Sequence, residues 1–159
     1  MTIKTADLYD VHGDKLAVAA PIFRSYGAHA AFAGQIATVR CFEDNKSMRD
    51  ALSRAGAGKV LVIDGGGSLR TALVGGLIAA LAVEKGWQGL VVNGCIRDSL
   101  EINGLALGVR ALATNPTRPQ KRVDGELDVP VTFAGVTFRP GEWLYADEDG
   151  IVVTSEKVA

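Results

Sequence analysis

The chain has 159 residues, of which 48% are hydrophobic, and this length and composition suit one domain with one core. Its 17 lysine and arginine residues nearly balance its 18 aspartate and glutamate residues, so the net charge indicates neither direct nucleic-acid binding nor a membrane partner. Glycines interrupt the apolar stretches, which fall short of the roughly 20 residues of a membrane span, and we expect one soluble domain over residues 1–159.

Predicted helices and strands alternate through the first part of the chain. Thr5 to Val11 predicts a short helix that begins with a threonine cap, and Gly34 to Phe42 predicts a strand. Capping groups at Glu43-Asp44-Asn45 predict a helix that continues through Ala55. Lys59 to Ile63 is a continuous apolar run, which is typical of a strand covered on both faces.

A second helix is predicted from Ser68 to Lys85, with Gly86 as its stop, and a buried strand is predicted at Gly89 to Val92. Such βαβ units imply parallel strands with right-handed crossovers, and ligands bind beyond the carboxyl ends of these strands. Two polar segments, Asp64 to Gly67 and Asn93 to Asp98, stand at these ends. A functional site is therefore expected at this edge of the sheet.

The last third of the chain has a different pattern. Short alternating runs are separated by turn dipeptides, which predicts antiparallel hairpins. The runs are Val129 to Phe133, Val136 to Phe138, Trp143 to Tyr145 and Ile151 to Thr154, and the turns are Ala134-Gly135, Pro140-Gly141 and Asp149-Gly150. We therefore expect an α/β fold of parallel βαβ units with an added antiparallel layer.

A diglycine interrupts the second predicted helix. Each glycine costs roughly 1 kcal/mol relative to alanine inside a helix, so Gly75 and Gly76 need a structural reason. If a fresh helix begins there, the amides of Gly75, Gly76, Leu77 and Ile78 lie at its N-terminus, where they favour a carboxylate or a phosphate. A tight helix contact or a kink explains the two glycines equally well.

Two opposite charges follow the second buried strand. Asp98 offers a hard oxygen ligand for Mg²⁺ or Mn²⁺, and Arg97 offers a fixed cation for an enolate or carboxylate oxygen. A surface ion pair that starts the next helix is the simpler explanation. Glu101 lies one turn further on, where a solvated helical face is again the simpler interpretation.

Two other segments have weaker functional patterns. Asp64-Gly65-Gly66-Gly67 superficially resembles a nucleotide loop, but neither a further glycine nor a Lys-Ser/Thr pair stands where such loops need it, which argues against a dinucleotide or adenosylmethionine site. The loop Thr117 to Arg122 holds three basic residues. It is either a solvated loop without a binding role or a basic segment that attracts a dianionic substrate or an acidic partner.

The two cysteines and the N-terminal residues indicate the cellular compartment of the protein. Cys41 and Cys95 occur without a CxxC motif or a histidine partner, which argues against a zinc site and a disulfide scaffold. The first ten residues include acids and no apolar run of secretory type. A reducing cytoplasm fits these features best.

Long stretches of the chain resemble a known family. One spacing pattern resembles the signature of the class II 4-hydroxy-4-methyl-2-oxoglutarate aldolases and their RraA-like relatives. It consists of Gly76, 20 intervening residues, Arg97-Asp98, two more residues and Glu101. Further matching stretches are FAGQIATVRCFEDN (32–45), VLVIDGGGSLRTALVGG (60–76), GLVVNGCIRD (89–98), the turn TNP (114–116) and GVTFRPGEWLYADEDGI (135–151).

The resemblance implies a compact β/β/α domain of the swivelling type and a metal-dependent aldolase that releases pyruvate from a 4-hydroxy-2-oxo acid. Oxaloacetate decarboxylation through the same pyruvate enolate would be a second activity. By the resemblance, the amides of residues 75–78 hold the pyruvyl carboxylate, Arg97 steadies the keto or enolate oxygen, and Asp98 anchors the divalent cation. Such a cation stabilises the carbanion without a lysine Schiff base.

The chain departs from some active aldolases of this kind, which carry an acidic residue where Gly76 stands. The family also includes regulators that bind ribonuclease E or its helicases and modulate RNA turnover. A binding regulator is therefore the alternative function, although the Arg97-Asp98 pair favours the enzyme. The resemblance further implies a homotrimer, which can pair into a hexamer, with sites between neighbouring protomers.

Overall fold

The structure is a computed structural model that describes residues 2–120 and 125–159. The α-helices of these ranges are α1 (Thr5–His12), α2 (Lys46–Leu52), α3 (Gly76–Glu84) and α4 (Ser99–Asn103), and a 3-10 turn over Gly13–Lys15 follows α1. Within the described ranges, no helix combines the length and apolar character needed to cross a membrane. The strands are β1 (Ala17–Val18), β2 (Arg24–Tyr26), β3 (Phe32–Arg40), β4 (Val60–Asp64), β5 (Ala72–Val74), β6 (Gly89–Ile96), β7 (Gly108–Thr114), β8 (Glu126–Leu127), β9 (Val131–Phe133), β10 (Val136–Phe138), β11 (Trp143–Asp147) and β12 (Gly150–Thr154).

Most strands belong to one curled mixed sheet in the order β1-β12-β11-β3-β4-β6-β7-β2, with β5 beside β6 and β8 beside β3. The central strands β3, β4, β6 and β7 are parallel. The flanking strands β11, β12, β1 and β2 pair antiparallel, and β9 and β10 form a separate hairpin. The predicted α/β class with parallel βαβ units and antiparallel hairpins is therefore confirmed.

The central sheet is buried on both faces. Along β4, Leu61 and Ile63 pack into the cluster that includes the apolar residues of α2 and α3, whereas Val60 and Val62 pack into the cluster that includes the β9–β10 hairpin. All four side chains are fully buried. Because successive strand residues point to opposite faces, this continuous apolar run has the two-sided burial that the sequence predicted.

The predicted helix from Ser68 to Lys85 is wrong in its first half. Residues 72–74 form β5, which pairs in parallel with β6, and the helix begins only at Gly76. The three residues of β5 are at most 2% exposed. An apolar run that is buried on all sides fits both the helical and the strand period of hydrophobic residues, so pairing with the adjacent strand determines its conformation. The predicted stop is confirmed, because Gly86 has a left-handed φ of 84°.

Other predicted boundaries also differ from the observed ones. Helix α2 ends at Leu52 instead of Ala55, and the strand predicted at Gly89 to Val92 continues to Ile96 in β6. The Pro140-Gly141 turn does not close a hairpin, because β11 pairs with β3 and β12 and not with β10. Strand β7, which pairs in parallel with β6, was not predicted from the sequence.

Both cysteines are buried free thiols. Burial, followed by the negative charges of Asp44 and Asp64, raises the pKa of Cys41 to about 12. Burial also raises the pKa of Cys95. Neither thiol is therefore ready for nucleophilic chemistry at neutral pH.

The buried Asp147 of β11 connects α1 to the sheet, and the buried Arg110 of β7 bonds to the same strand; neither role was predicted from the sequence. Thr5 does not cap its helix. Its hydroxyl and its amide instead donate hydrogen bonds of 2.6 and 2.8 Å to the carboxylate of Asp147. Arg110 donates to the Asp147 carbonyl at 3.0 Å and lies 5.2 Å from the centre of the Phe32 ring. Burial raises the pKa of Asp147, but the bonds from Thr5 and from two backbone amides outweigh it and lower the pKa below its usual range.

We expect the Asp147 carboxylate to make stability depend on acid pH. Since its pKa is lower in the folded chain, it stabilises the fold above the unfolded-state pKa of about 4, and that contribution disappears as pH falls through the folded value. Asp147→Asn should lower the unfolding free energy at pH 7 by about 2 kcal/mol and weaken its dependence on pH in the acid range, as measured by urea denaturation. Asp50→Asn, at an exposed ion pair, is the control. Equal acid sensitivity in the wild type and Asp147→Asn would contradict this role.

Candidate active site at the diglycine turn

The end of β6 meets the start of α3 at one edge of the sheet. After β5, Gly75 continues in extended conformation, with φ −114° and ψ −173°, and α3 begins at Gly76. Arg97 follows β6 directly, and its amide donates a 2.9 Å hydrogen bond to the carbonyl of Val74. Arg97 and Asp98 therefore emerge beside the diglycine, at the carboxyl ends of parallel strands.

The Asp98 carboxylate binds the start of α3. The amide of Gly76 donates a 2.9 Å hydrogen bond to Oδ2 of Asp98. Asp98 stands before α4 with a left-handed φ of 57°, and its side chain does not cap that helix. The simpler explanation from sequence, an aspartate that merely starts the next helix, therefore does not describe this carboxylate, which is directed to α3 instead.

The two glycines leave room for charged side chains. A Cβ atom at Gly75 would lie 3.0 Å from Oδ2 of Asp98 and 3.4 Å from Nε of Arg97, and one at Gly76 would lie 2.3 Å from Oε2 of Glu101. The structural reason for the diglycine is thus close approach of these side chains. Glu101 is an exposed residue, as a solvated helical face predicts, but its carboxylate lies against Gly76.

The first turn of α3 carries amide donors for a ligand. The Gly76 amide is engaged by Asp98, and the first backbone bond of the helix runs from the Ala79 amide to the Gly75 carbonyl at 3.0 Å. Within the part of the chain that the structure describes, the amides of Leu77 and Ile78 donate to no backbone carbonyl. Together with the helix dipole, such donors favour a carboxylate.

These groups open onto a cavity of about 170 Å³. Its size falls below the roughly 300–1,000 Å³ of pockets for drug-sized ligands, so it suits a small acid better than a nucleotide. The lining residues are Asn45, Arg49, Ala72, Leu73, Gly75, Gly76, Leu77, Ile78, Arg97, Asp98, Arg118 and Pro119.

The charges of the lining favour an anion. The lining includes three arginines, Arg49, Arg97 and Arg118, and one acidic residue, Asp98. Arg97 donates one 3.4 Å hydrogen bond to the carbonyl of Pro116, which leaves further N–H groups of its guanidinium for a ligand. The other two basic residues of the predicted 117–122 loop, at positions 121 and 122, lie outside the described residues.

The carboxylates at Gly76 fit a hydrated divalent cation. Glu101 forms no hydrogen bond with the described residues through its carboxylate, and Asp98 uses only Oδ2. Mg²⁺ usually keeps several waters and binds through one or two carboxylates. In residues 2–120 and 125–159, no group of three or more His, Cys, Asp or Glu side chains could enclose a metal, so the donor set differs from a closed structural zinc site.

The glycine-rich loop after β4 does not cradle a phosphate. The amides of Gly65 and Gly67 donate to the carbonyl of Asn93 at 3.1 and 3.0 Å, and the Gly66 amide donates to Oδ1 of Asp64 at 2.9 Å. Since backbone amides must be free to bind phosphate oxygens, this geometry agrees with the sequence-based rejection of a nucleotide loop.

The fold and this site together define a family. The model of the RraA-like family, described as Aldolase/RraA, matches residues 5–153. The chain belongs to the RraA-like family.

Individual relatives cover nearly the whole chain. A protein of Laribacter hongkongensis named "Putative 4-hydroxy-4-methyl-2-oxoglutarate aldolase" is 56% identical over 156 residues, which are 98% of each chain. A Dechloromonas aromatica protein of the same name is 54% identical over 160 residues, again 98% of each. The solved structure of the RNA-processing inhibitor RraA from Thermus thermophilis matches 100% of this chain and 96% of its own, with 45% identity and a TM-score of 0.96.

Substitution at the diglycine should separate function from stability. In Gly76→Ala the new methyl group displaces the Glu101 carboxylate, the end of an exposed side chain, so we expect the unfolding free energy to change by less than about 1 kcal/mol. Affinity for Mn²⁺, measured by calorimetric titration, should fall roughly 10-fold. Gly89→Ala is the contrast, because its Cβ would lie 2.3 Å from the buried Phe32 ring, and overpacking costs about 1–3 kcal/mol. Equal destabilisation by both substitutions would show that Glu101 is held rigidly for structural reasons.

Proposed function

We propose that the protein is a divalent-metal-dependent aldolase that cleaves 4-hydroxy-4-methyl-2-oxoglutarate to pyruvate and also decarboxylates oxaloacetate. The observation that carries this proposal is the hydrogen bond from the Gly76 amide to Asp98. It brings a carboxylate, the Arg97 guanidinium and the free amides of α3 to one small cavity. The names of relatives that are more than 50% identical support the same activity.

The pyruvyl half of the substrate would bind at the start of α3. Its carboxylate would accept hydrogen bonds from the amides of Leu77 and Ile78, with Gly75 allowing close approach of the ligand to the backbone. The 2-oxo oxygen would then face the Arg97 guanidinium. This orientation directs C3 and C4 of the substrate away from the helix and into the cavity.

The reaction breaks the C3–C4 bond of the substrate. The C4 hydroxyl loses its proton, C4 becomes the carbonyl carbon of one pyruvate, and the bonding electrons pass to C3 to form the enolate of a second pyruvate. Protonation at C3 completes that product. In oxaloacetate the same bond breaks with loss of carbon dioxide. Arg97 would lower the barrier of either reaction, because its fixed positive charge meets the negative charge that develops on the enolate oxygen.

Asp98 and Glu101 would hold the divalent cation, Mg²⁺ or Mn²⁺, largely through its waters. When bound, the cation supplies the electrophile that polarises the 2-oxo group. The position of Glu101 also addresses the departure at Gly76 from relatives that have an acid there. Its Oε2 lies 2.3 Å from where the Cβ atom of residue 76 would stand. Glu101 would therefore place a carboxylate in the space that the acidic side chain at position 76 fills in those relatives.

A coupled assay tests the proposed activity. Oxaloacetate with Mg²⁺ should yield pyruvate, EDTA should abolish the reaction, added Mn²⁺ should restore it, and borohydride should trap no covalent adduct. Arg97→Met should lower kcat by about 10²–10³-fold, whereas Arg54→Met, at an exposed pair with Asp128, should leave it unchanged. Pyruvate release that persists in EDTA would rule out the metal-dependent mechanism.

A binding regulator of ribonuclease E is the second candidate, since a structure with 45% identity to this chain is that of an RNA-processing inhibitor. A protein–protein surface does not need the cation, so we expect any inhibition of ribonuclease E cleavage to survive Asp98→Ala. The measurement is the cleavage rate of an RNA substrate with increasing amounts of wild-type or variant protein. If Asp98→Ala abolishes the inhibition of ribonuclease E, the prediction is wrong and both activities depend on the same site.

We also propose that the chain assembles as a homotrimer that can pair into a hexamer, with the site near a subunit boundary. Two large apolar side chains beside the site support this assembly. Leu77 on α3 is 88% exposed and Leu100 on α4 is 89% exposed. Apolar exposure of this extent on both helices that border a polar site is typical of a surface covered by another subunit.

A further inference from the structure

The turn that follows β7 lies beside the residue that follows β6. The two strands pair in parallel as far as Ile96 and Thr114. Beyond that pair, the amide of Asn115 donates a 2.9 Å hydrogen bond to the carbonyl of Ile96. The turn therefore continues the pairing past the last strand residues, and it brings Pro116 next to Arg97.

One backbone carbonyl of this turn holds the Arg97 guanidinium. Nη1 of Arg97 donates a 3.4 Å hydrogen bond to the carbonyl of Pro116. Across the described ranges, this is the only hydrogen bond that the Arg97 side chain forms, and it has no ion pair there. Because an arginine side chain has several rotatable bonds, the direction of that carbonyl limits where the positive charge stands.

The side chain of Asn115 orients the peptide unit that carries this carbonyl. Its Oδ1 accepts a 2.8 Å hydrogen bond from the amide of Thr117, and that amide belongs to the same peptide unit as the Pro116 carbonyl. The N–H and C=O groups of a planar trans peptide point in opposite directions. With the N–H held toward Asn115, the carbonyl is directed away from Asn115 and toward Arg97.

The other end of the Asn115 amide is attached to a second loop. Nδ2 of Asn115 donates a 2.7 Å hydrogen bond to the carbonyl of Leu69. Both neighbours of Leu69 are held in turn, because Ser68 Oγ and Arg70 Nε each donate a 2.7 Å hydrogen bond to the carboxylate of Glu43. The Asn115 side chain is thus fixed by a loop that is itself fastened to the segment after β3.

We propose that Asn115 is a positioning residue for Arg97, which acts from outside the cavity lining by orienting the Pro116–Thr117 peptide. This inference rests on the proposed function for the role of Arg97. The arrangement needs one acceptor and one donor on a short side chain, and asparagine carries both. Aspartate would lack the donor for the Leu69 carbonyl. Asparagine is therefore the residue type that fits both contacts.

A double-mutant cycle with Arg97 tests the proposal, since Asn115→Ala removes both side-chain bonds. In the oxaloacetate assay with Mg²⁺, Asn115→Ala should lower kcat about 10-fold and change KM less, because the Arg97 charge acts mainly in the transition state. In the Arg97→Met background, the same substitution should change kcat by less than about 2-fold, because no guanidinium remains to be positioned. Gln35→Ala is the matched control. It removes an amide bond to the Gly141 carbonyl, outside the cavity lining, and should leave kcat unchanged.

Binding of oxalate gives the same comparison without turnover. Oxalate carries two negative charges on a two-carbon unit, as the enolate of pyruvate does. In calorimetric titrations at a fixed Mg²⁺ concentration, Asn115→Ala should bind oxalate about 5-fold more weakly than the wild type. Arg97→Met and the double variant should bind it equally. Asn115→Ser keeps a shorter acceptor for the Thr117 amide, so it should lose less than Asn115→Ala, and it replaces that variant in the cycle if Asn115→Ala does not fold.

The outcomes separate positioning from a role in the fold alone. Equal losses with and without the Arg97 guanidinium overturn the proposal, because the turn would then stabilise the structure independently of that charge. Unchanged kcat and unchanged oxalate affinity in Asn115→Ala overturn it as well. If the loss of oxalate affinity requires Arg97 while the wild type releases no pyruvate from oxaloacetate, the aldolase proposal fails and the positioning role holds.

Discussion

The hydrogen bond from the Gly76 amide to the Asp98 carboxylate joins the start of α3 to the end of β6, and the arrangement of the site depends on it. It draws Asp98 away from its own helix, which its left-handed backbone permits. It also requires residues without Cβ atoms on the facing segment, because side chains there would meet Arg97, Asp98 and Glu101. This contact thus sets the orientation of the acid, and the close approach of Arg97, Asp98 and Glu101 accounts for the diglycine.

The second organising feature is the distribution of charge around the cavity. The Asp98 and Glu101 carboxylates lie against the diglycine, and the cavity lining also includes Arg97 and two further arginines, Arg49 and Arg118. Relatives of the chain are named for an aldolase or for an RNA-processing inhibitor, and a fold by itself does not specify which function a member performs.

Local sequence features were sufficient for a large part of this description. Hydrophobic runs such as residues 59–63 and turn pairs such as Ala134-Gly135 indicate the conformation of the segment in which they occur. The α/β class and the hairpin region could therefore be predicted from them. The location of Arg97-Asp98 at the end of a buried strand followed in the same way. The function implied for this pair came from the match of long stretches to a family, since a charged pair at a strand end is by itself compatible with a surface ion pair.

What only the tertiary structure decided involves residues that are distant in sequence. An apolar segment at 72–74 became a strand because β6 lies beside it, which its own composition does not specify. Glu101 approaches Gly76, and Arg49 shares a cavity with Arg118, because crossover connections bring separate elements to the same edge of the sheet. Side-chain convergence of this kind depends on packing between elements, whereas periodicity and turn signals depend only on neighbours along the chain. The sequence by itself therefore determined the element types and one end of the site, and the fold determined which charges meet there.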